Sequence, residues 1–269
     1  MSGKILGIMG CGNIGGALAA AAGDMSCNIE KIILWDIDTS KVEGLEKSLP
    51  NAKAANSVLE LVELSDIIAE AVSPSVVKDI LERVITAGKD ILIMSVGGIL
   101  GNERLLYEAG SRGIRVILPS GAVSGIDALK AASVAGIDTV TITTRKPVRS
   151  IKGAPYFEER GIDTGAITEE TTVFEGNAVS AIKAFPKNIN VSALLSIAGI
   201  GAQKTMVKIV VSPEYTKNSH EVVIKGRSGT ITTLTENVPS PENPKTSYLA
   251  VLSAIAALKG YFDPVQIGT

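Results

Sequence analysis

Histidine is almost absent from this chain: one residue, His220, among 269. Chemistry that needs an imidazole must use that side chain. Cysteine is nearly as scarce. Cys11 and Cys27 form neither a CxxC pair nor a zinc spacing, which excludes a disulfide framework and leaves no metal site to expect. Aromatic residues make up 4%, too few for base-stacking or carbohydrate platforms. Positive charge has no excess: 26 Lys and Arg face 28 Asp and Glu, and the net charge of -2 carries no footprint for nucleic acid. Apolar runs are short. Those near Ala17–Ala22 and Ala193–Ala202 fall below the roughly 20 residues that span a bilayer. The opening MSGKILGIMG reads as a strand entering a glycine turn rather than a secretory leader. A cytoplasmic protein with reduced thiols and no membrane partner is the expectation.

What the chain does have is alternation of strand and helix. Strands are predicted at Lys4–Met9, Lys31–Asp36, Asp66–Ala71, Asp90–Val96 and Arg115–Pro119. Helical patterns lie between them at Gly12–Ala22, Thr39–Leu49, Val76–Ala87 and Asn102–Ser111. Near-continuous apolar strands, each followed by a helix, predict a parallel sheet covered on both faces. Right-handed crossovers wind it into a Rossmann-type, doubly wound α/β domain over residues 1–121.

After Gly121 the pattern changes. A helix at Ile126–Ala135 leads into strand-like Thr139–Arg145. A short strand at Thr171–Phe174 follows, then helices near Ala178–Ala184 and Val191–Ile200. Strands at Met206–Val211, Glu221–Lys225 and Thr230–Leu234 come next, the last two joined by a turn at Arg227-Ser228-Gly229. These strands cluster without a helix between every pair. That predicts a second, smaller α+β catalytic and dimerisation domain over 122–242. Residues 243–269 then carry a helix over Pro244–Gly260 that returns to pack on the first domain.

Gly10-Cys11-Gly12-Asn13-Ile14-Gly15 is a GxGxxG sequence, placed between a predicted strand and an alanine-rich helix. Gly10 suits the tight turn, Gly12 lets backbone approach a pyrophosphate, and Gly15 lets the helix lie close to the strand. The free N–H groups and partial positive charge of the helix start suit the anion. Asp36 ends the second predicted strand. A carboxylate there accepts from ribose hydroxyls and repels a 2′-phosphate, which favours NAD over NADP. Two later segments, Ala71–Ser75 and Ser95–Gly98, follow strands where ligands sit in such sheets. They read equally well as nicotinamide-facing loops or as ordinary turns and caps.

From Pro119 onward, unusual strings follow in order: Leu118-Pro119-Ser120-Gly121-Ala122, Gly125-Ile126-Asp127-Ala128-Leu129, Phe185-Pro186-Lys187-Asn188-Ile189-Asn190-Val191, Asn218-Ser219-His220-Glu221-Val222 and Asn243-Pro244-Lys245-Thr246-Ser247. With the glycine fingerprint, this series closely resembles the L-aspartate dehydrogenase family over nearly the whole chain. The resemblance implies a homodimer that oxidises L-aspartate with NAD or NADP to iminoaspartate, which hydrolyses to oxaloacetate and ammonia. It also implies that the imine can feed quinolinate synthesis in de novo NAD production, a functional link to quinolinate synthase. It places the catalytic histidine at His220, the nucleotide-contacting alanine at Ala122, and the nucleotide-contacting asparagine at Asn188, with Asn190 the second choice. The sequence departs from the family pattern after Lys146-Pro147, reading Val148-Arg149-Ser150 where a second proline is expected.

The residue types suit that chemistry. The substrate amine must lose a proton before a hydride leaves Cα, and water must later be deprotonated to attack the imine. An imidazole with an ordinary pKa of about 6.5 can serve both steps near neutral pH. A dicarboxylate needs cations or N–H groups, for which Lys187, Lys245, Thr246 and the amide of Asn190 are candidates. Lys245 and Thr246 would open the last helix, with Asn243 as its cap and Pro244 in its first turn; equally, Lys245 is then a solvated side chain. Two other readings stay open: a two-domain enzyme of the homoserine dehydrogenase or dihydrodipicolinate reductase type, and a non-catalytic NAD-binding sensor, which would need the glycine turn and Asp36 but not His220.

Overall fold

The structure is a computed structural model that describes residues 3–25, 28–151, 153–185 and 190–269. The chain divides into two compact units. One comprises residues 1–121 and 250–266, the other residues 122–249 and 267–269.

The first unit runs β1 (Lys4–Met9), α1 (Asn13–Gly23), β2 (Ile29–Trp35), α2 (Thr39–Ser48), β3 (Ala52–Ala54), α3 (Val58–Leu64), β4 (Ile67–Glu70), α4 (Val77–Ala87), β5 (Asp90–Ile93), α5 (Arg104–Ser111) and β6 (Val116–Ile117). Its strands form one six-stranded sheet in the order β3-β2-β1-β4-β5-β6, with every pairing parallel. This is the dinucleotide-binding strand order, which reverses direction between β1 and β4. Central strands are buried on both faces, which is why Leu6, Ile8, Ile32, Leu34, Ile67 and Leu92 form one apolar core with Leu18 and Ala22 of α1. Helix α4 shows why these segments are helical. Val77, Ile80, Leu81, Val84 and Ile85 make one buried stripe, and Gly88, at φ 69°, closes the helix in the left-handed conformation.

The second unit runs α6 (Ile126–Ala135), β7 (Ile137–Pro147), α7 (Pro155–Arg160), β8 (Thr171–Asn177), α8 (Ala178–Ala184), α9 (Asn190–Ala198), β9 (Thr205–Ser212), β10 (Asn218–Gly226) and β11 (Gly229–Asn237). Its five-stranded sheet has the order β11-β10-β7-β9-β8. The β7–β9 pair is parallel and the others are antiparallel, so the sheet is mixed, as expected for an α+β unit. The two-residue turn Arg227-Ser228 closes β10 onto β11 at the Gly226–Gly229 pair. One sheet face carries Val140, Ile142, Val207, Ile209, Val222 and Ile224, packed with Phe157, Phe174, Ala181, Phe185 and Leu195.

Four local elements differ from the sequence reading. Strand β3 and helix α7 are too short to show a period, and α3 has only two turns. The fourth is the last helix. α10 spans Tyr248–Phe262 rather than Pro244–Gly260. Residues Asn243–Thr246 form a turn instead: Thr246 N–H donates to the Asn243 carbonyl (3.0 Å) and Lys245 N–H to the Asn243 side chain (3.0 Å). Ser240 N–H donates to the Thr246 carbonyl at 2.8 Å, and Tyr248 N–H to the Val238 carbonyl at 2.9 Å. These bonds engage the Asn243 amide oxygen and pin the segment back on itself, so Lys245 and Thr246 do not open a helix. Ala254 and Leu258 of α10 belong to the core of the first unit.

Candidate active site

The glycine turn lies between β1 and α1, at the carboxyl edge of the parallel sheet. Gly10 has φ 90°, and a Cβ there would lie 2.4 Å from the Ala71 carbonyl oxygen. A Cβ on Gly15 would lie 1.7 Å from the Gly10 carbonyl oxygen. Both positions are therefore closed to any side chain by the protein itself. Gly12 differs: a Cβ there meets nothing within 4 Å. Gly12 precedes Asn13 and Ile14 at the start of α1 and offers no side chain to cap their N–H groups. The open space beside Gly12 and the uncapped helix start fit a pyrophosphate.

Asp36 follows β2. Its carboxylate accepts from Cys11 N–H (2.7 Å), within the glycine turn, and from Asp38 N–H (2.8 Å). Each oxygen retains acceptor capacity, so the group is oriented without being used up. Cys11 is no nucleophile, because burial first and the Asp36 charge second push its thiol up to about 12. The two later loops are tied together by a residue the sequence reading passed over. Glu70, buried at the end of β4, accepts from Val72 N–H (2.8 Å) and Ser95 N–H (3.0 Å), while Ser95 Oγ donates to the Val72 carbonyl (2.7 Å). Burial raises the Glu70 carboxyl above its ordinary range, against the lowering effect of these N–H groups.

In the second unit the relevant side chains share one sheet face. His220 on β10 stands opposite Thr144 of β7 and Thr235 of β11. Its Nδ1 lies 3.0 Å from Thr144 Oγ1. Burial, with the Lys146 charge adding to it, lowers the imidazole to about 4, so the ring is neutral at pH 7. The ordinary histidine pKa assumed from sequence does not hold here.

Two residues along each strand, on the same face, lie Asn218, Asn237 and Lys146. They line a cleft of about 700 Å³ with Arg149 and Ser150 after β7, Thr216 and Lys217 before β10, and Pro244 to Ser247 of the terminal turn. Among the described residues that line it, four are cationic and none is an acid. Lys146 is 8% exposed, and burial draws its ammonium down to about 8.

The other expected site residues fall as follows. Ala122 is buried, and its carbonyl accepts from Asn237 Nδ2 (3.0 Å); Ser247 Oγ donates to the other end of that amide (2.6 Å). Thr233 Oγ1 donates to the Ser124 carbonyl (3.3 Å), and Thr235 Oγ1 meets Ser124 Oγ (3.0 Å). The 122–124 segment is thus laced to the same face of β11 that neighbours His220. Lys245 is exposed at the cleft rim and Thr246 half-buried there. Asn190 begins α9 and is exposed. Lys187 and Asn188 lie outside the described residues. The sequence reading missed Thr144, Lys146 and Arg149. A lysine in step with Val140, Ile142 and Thr144 along a strand was the available signal.

Comparison with known proteins decides the family. Residues 127–261 match the family described as aspartate dehydrogenase, C-terminal, and residues 10–119 match the homoserine dehydrogenase NAD-binding domain. The L-aspartate dehydrogenase of Methanosarcina mazei is 44% identical over 268 residues, covering 98% of this chain and 99% of its own. This chain belongs to the aspartate dehydrogenase family. The enzyme of that name from Nitrosopumilus maritimus is 40% identical over 274 residues, with 99% of this chain and 100% of its own covered. The crystal structure of aspartate dehydrogenase from Thermotoga maritima superposes with a TM-score of 0.76 at 27% identity, covering 99% of this chain and 100% of that one. Membership brings a pyridine-nucleotide coenzyme with it, and the glycine turn, α1 and Asp36 are the parts of this chain suited to hold one. Among the described residues no helix is long and apolar enough to cross a membrane.

Proposed function

We propose that this protein is an L-aspartate dehydrogenase that oxidises its substrate with NAD to iminoaspartate. The carrying observation is a buried, neutral imidazole one pleat along a sheet face from a cleft whose described lining holds four cations and no acid, in a chain of this family.

Backbone N–H groups at Asn13, Ile14 and Gly15 would hold the pyrophosphate, with the open space at Gly12 admitting it. Asp36 accepts from the adenosine ribose, and its charge disfavours a 2′-phosphate, hence NAD over NADP. Ala122 and Asn188 stay candidates for the nicotinamide half. A bound coenzyme would supply the acceptor for the hydride that leaves Cα. His220 supplies the base. Nδ1 and Thr144 Oγ1 are within hydrogen-bond distance; in the tautomer in which Nδ1–H donates, the lone pair rests on Nε2, where it can take a proton from the substrate amine and later from water. Two carboxylates entering the cleft oppose the effect of Lys146 and raise the basicity of that nitrogen. The cationic wall, with Lys245, Thr246, Asn190 and Lys187 as further candidates, meets the dicarboxylate. Release of iminoaspartate toward quinolinate, a homodimeric assembly and a cytoplasmic setting complete this reading.

A screen of amino acids against NAD and NADP tests it. L-aspartate reduces NAD, with NADP the poorer acceptor, while L-malate and L-homoserine do not. Turnover of L-homoserine but not L-aspartate, or of no amino acid at all, overturns it.

A further inference from the structure

The order of the first sheet sets where a dinucleotide would run. Asp36 stands after β2 and the glycine turn after β1. A coenzyme held at both would continue along the carboxyl edge to β4 and β5, each step about 4.8 Å. With the adenosine ribose at Asp36 and the pyrophosphate at Gly12, the nicotinamide half is left for the loops after those two strands. Backbone packs directly on backbone there. A Cβ on Gly98 would lie 2.2 Å from the Pro74 carbonyl oxygen, so the second loop sits against the first. One side chain joins them. Glu70 is fully buried at the end of β4. One of its carboxyl oxygens accepts from Val72 N–H (2.8 Å) in the first loop, the other from Ser95 N–H (3.0 Å) in the second. Ser95 Oγ closes the ring by donating to the Val72 carbonyl at 2.7 Å. Among the described residues no cation pairs with this carboxylate. A buried acid without a counter-charge is costly. An apolar side chain would fill the strand end at less cost but would leave both loop N–H groups unmet.

We propose that Glu70 is the positioning residue for the nicotinamide half of the coenzyme: by accepting from both loops at once, it fixes the surface on which that half lies. The inference rests on the proposed function and deepens it, and it reads residues 71–75 and 95–98 as ligand-facing loops. Glu70 itself is out of a ligand's reach and acts through the backbone of Val72 and Ser95. The bridge needs two acceptors, one for each loop, and an ionised carboxylate supplies both. Glutamine has the same shape but a single acceptor. Its NH2 group meets the second N–H donor to donor, and one loop is released. The adenosine and pyrophosphate half does not depend on this bridge. Asp36 is bonded to Cys11 and Asp38, and Ala71 is held by its own N–H donating to the Met9 carbonyl at 2.8 Å.

The test uses the full-length protein and two ligands that share the adenosine and pyrophosphate half: NADH, and ADP-ribose, which lacks the nicotinamide. Calorimetry gives both dissociation constants for the wild type, Glu70→Gln and Ser95→Ala. In Glu70→Gln the Kd for NADH rises about tenfold, while that for ADP-ribose stays within about twofold. Ser95→Ala loses only the Oγ bond, so NADH weakens about threefold and ADP-ribose is again unchanged. A merely structural role would lower the melting temperature and leave the ratio of the two constants at its wild-type value. That ratio unchanged in a folded Glu70→Gln overturns the role of Glu70. So does a wild type that binds NADH no more tightly than ADP-ribose. Should Glu70→Gln fail to fold, Ser95→Ala carries the same comparison, and an unchanged ratio there overturns the role. The proposed function fails separately. A wild type that binds NADH but oxidises no L-aspartate overturns that reading, and the ratio in the variants still decides the role of Glu70. A wild type that binds neither ligand overturns both.

Discussion

In the first unit the groups that would face a ligand are mostly backbone: N–H groups at the start of α1, an open edge at Gly12, and loops tied by Glu70. In the second unit they are side chains, spaced two residues apart on three strands and aligned by sheet register. The first arrangement is rigid because glycines without Cβ atoms let carbonyls close on the turn. The second is tunable because burial sets the state of each group, leaving His220 neutral and Lys146 easily discharged. A backbone site binds what every member of a coenzyme class shares. A side-chain site chooses among substrates and moves protons.

Substitution should separate these two modes. His220→Ala has the largest expected effect on turnover: kcat falls roughly 10²- to 10⁴-fold while coenzyme affinity stays near wild type. Full activity in that variant would remove the second unit's face from the mechanism. In the first unit, two glycines five and two positions into the same motif should behave oppositely. Gly15→Ala drives a methyl into the Gly10 carbonyl, 1.7 Å away, so the turn must open; a loss on the order of 3 kcal/mol is expected in denaturant unfolding. Gly12→Ala meets no protein atom, so stability changes by no more than about 1 kcal/mol while coenzyme affinity falls about tenfold. Equal effects on both quantities in both variants would dissolve the distinction between packing glycine and ligand-facing glycine.

The tuning of the second unit has its own signature. His220 titrates near 6.5 when unfolded and at about 4 when folded. Between those values the unfolded chain binds a proton that the folded one refuses. The His220 contribution is therefore complete above about pH 6.5 and is lost as pH falls toward 4, by roughly 3 kcal/mol. Chemical denaturation across that window should show the slope, and His220→Gln, which cannot titrate, should flatten it. Identical profiles would mean that the ring is protonated freely in the fold.

These differences explain what could be read in advance. A glycine turn is local in the chain, so Gly10 to Gly15 and Asp36 could be singled out as coenzyme candidates, and the strand and helix expected around them are present. The strand alternation of the second half gave most of its sheet, and the family strings pointed to His220 and Ala122. Thr144 and Lys146 were not found because their meaning depends on which residues of β10 they oppose, and register is a property of the paired strands. The terminal helix was misplaced for a local reason. Asn243 followed by proline suits a helix cap and a turn equally, and the bonds to Ser240 and Val238 that decide between them are tertiary.

Lys245 gives the smallest effect and the sharpest check on that correction. At a helix start, its backbone N–H would bind an anion and its side chain would matter little. In the observed turn, that N–H is bonded to the Asn243 side chain, and what remains is an exposed ammonium at the rim of the cleft. Such a charge steers an anionic substrate through solvent, where salt weakens it. Lys245→Ala should therefore raise KM for L-aspartate about two- to threefold at low salt, leave kcat unchanged, and lose most of that difference in 0.5 M salt, where the screening length is only about 4 Å. A salt-independent rise in KM would place the Lys245 ammonium in direct contact with the substrate, and a fall in kcat would move it from the rim into the reacting site.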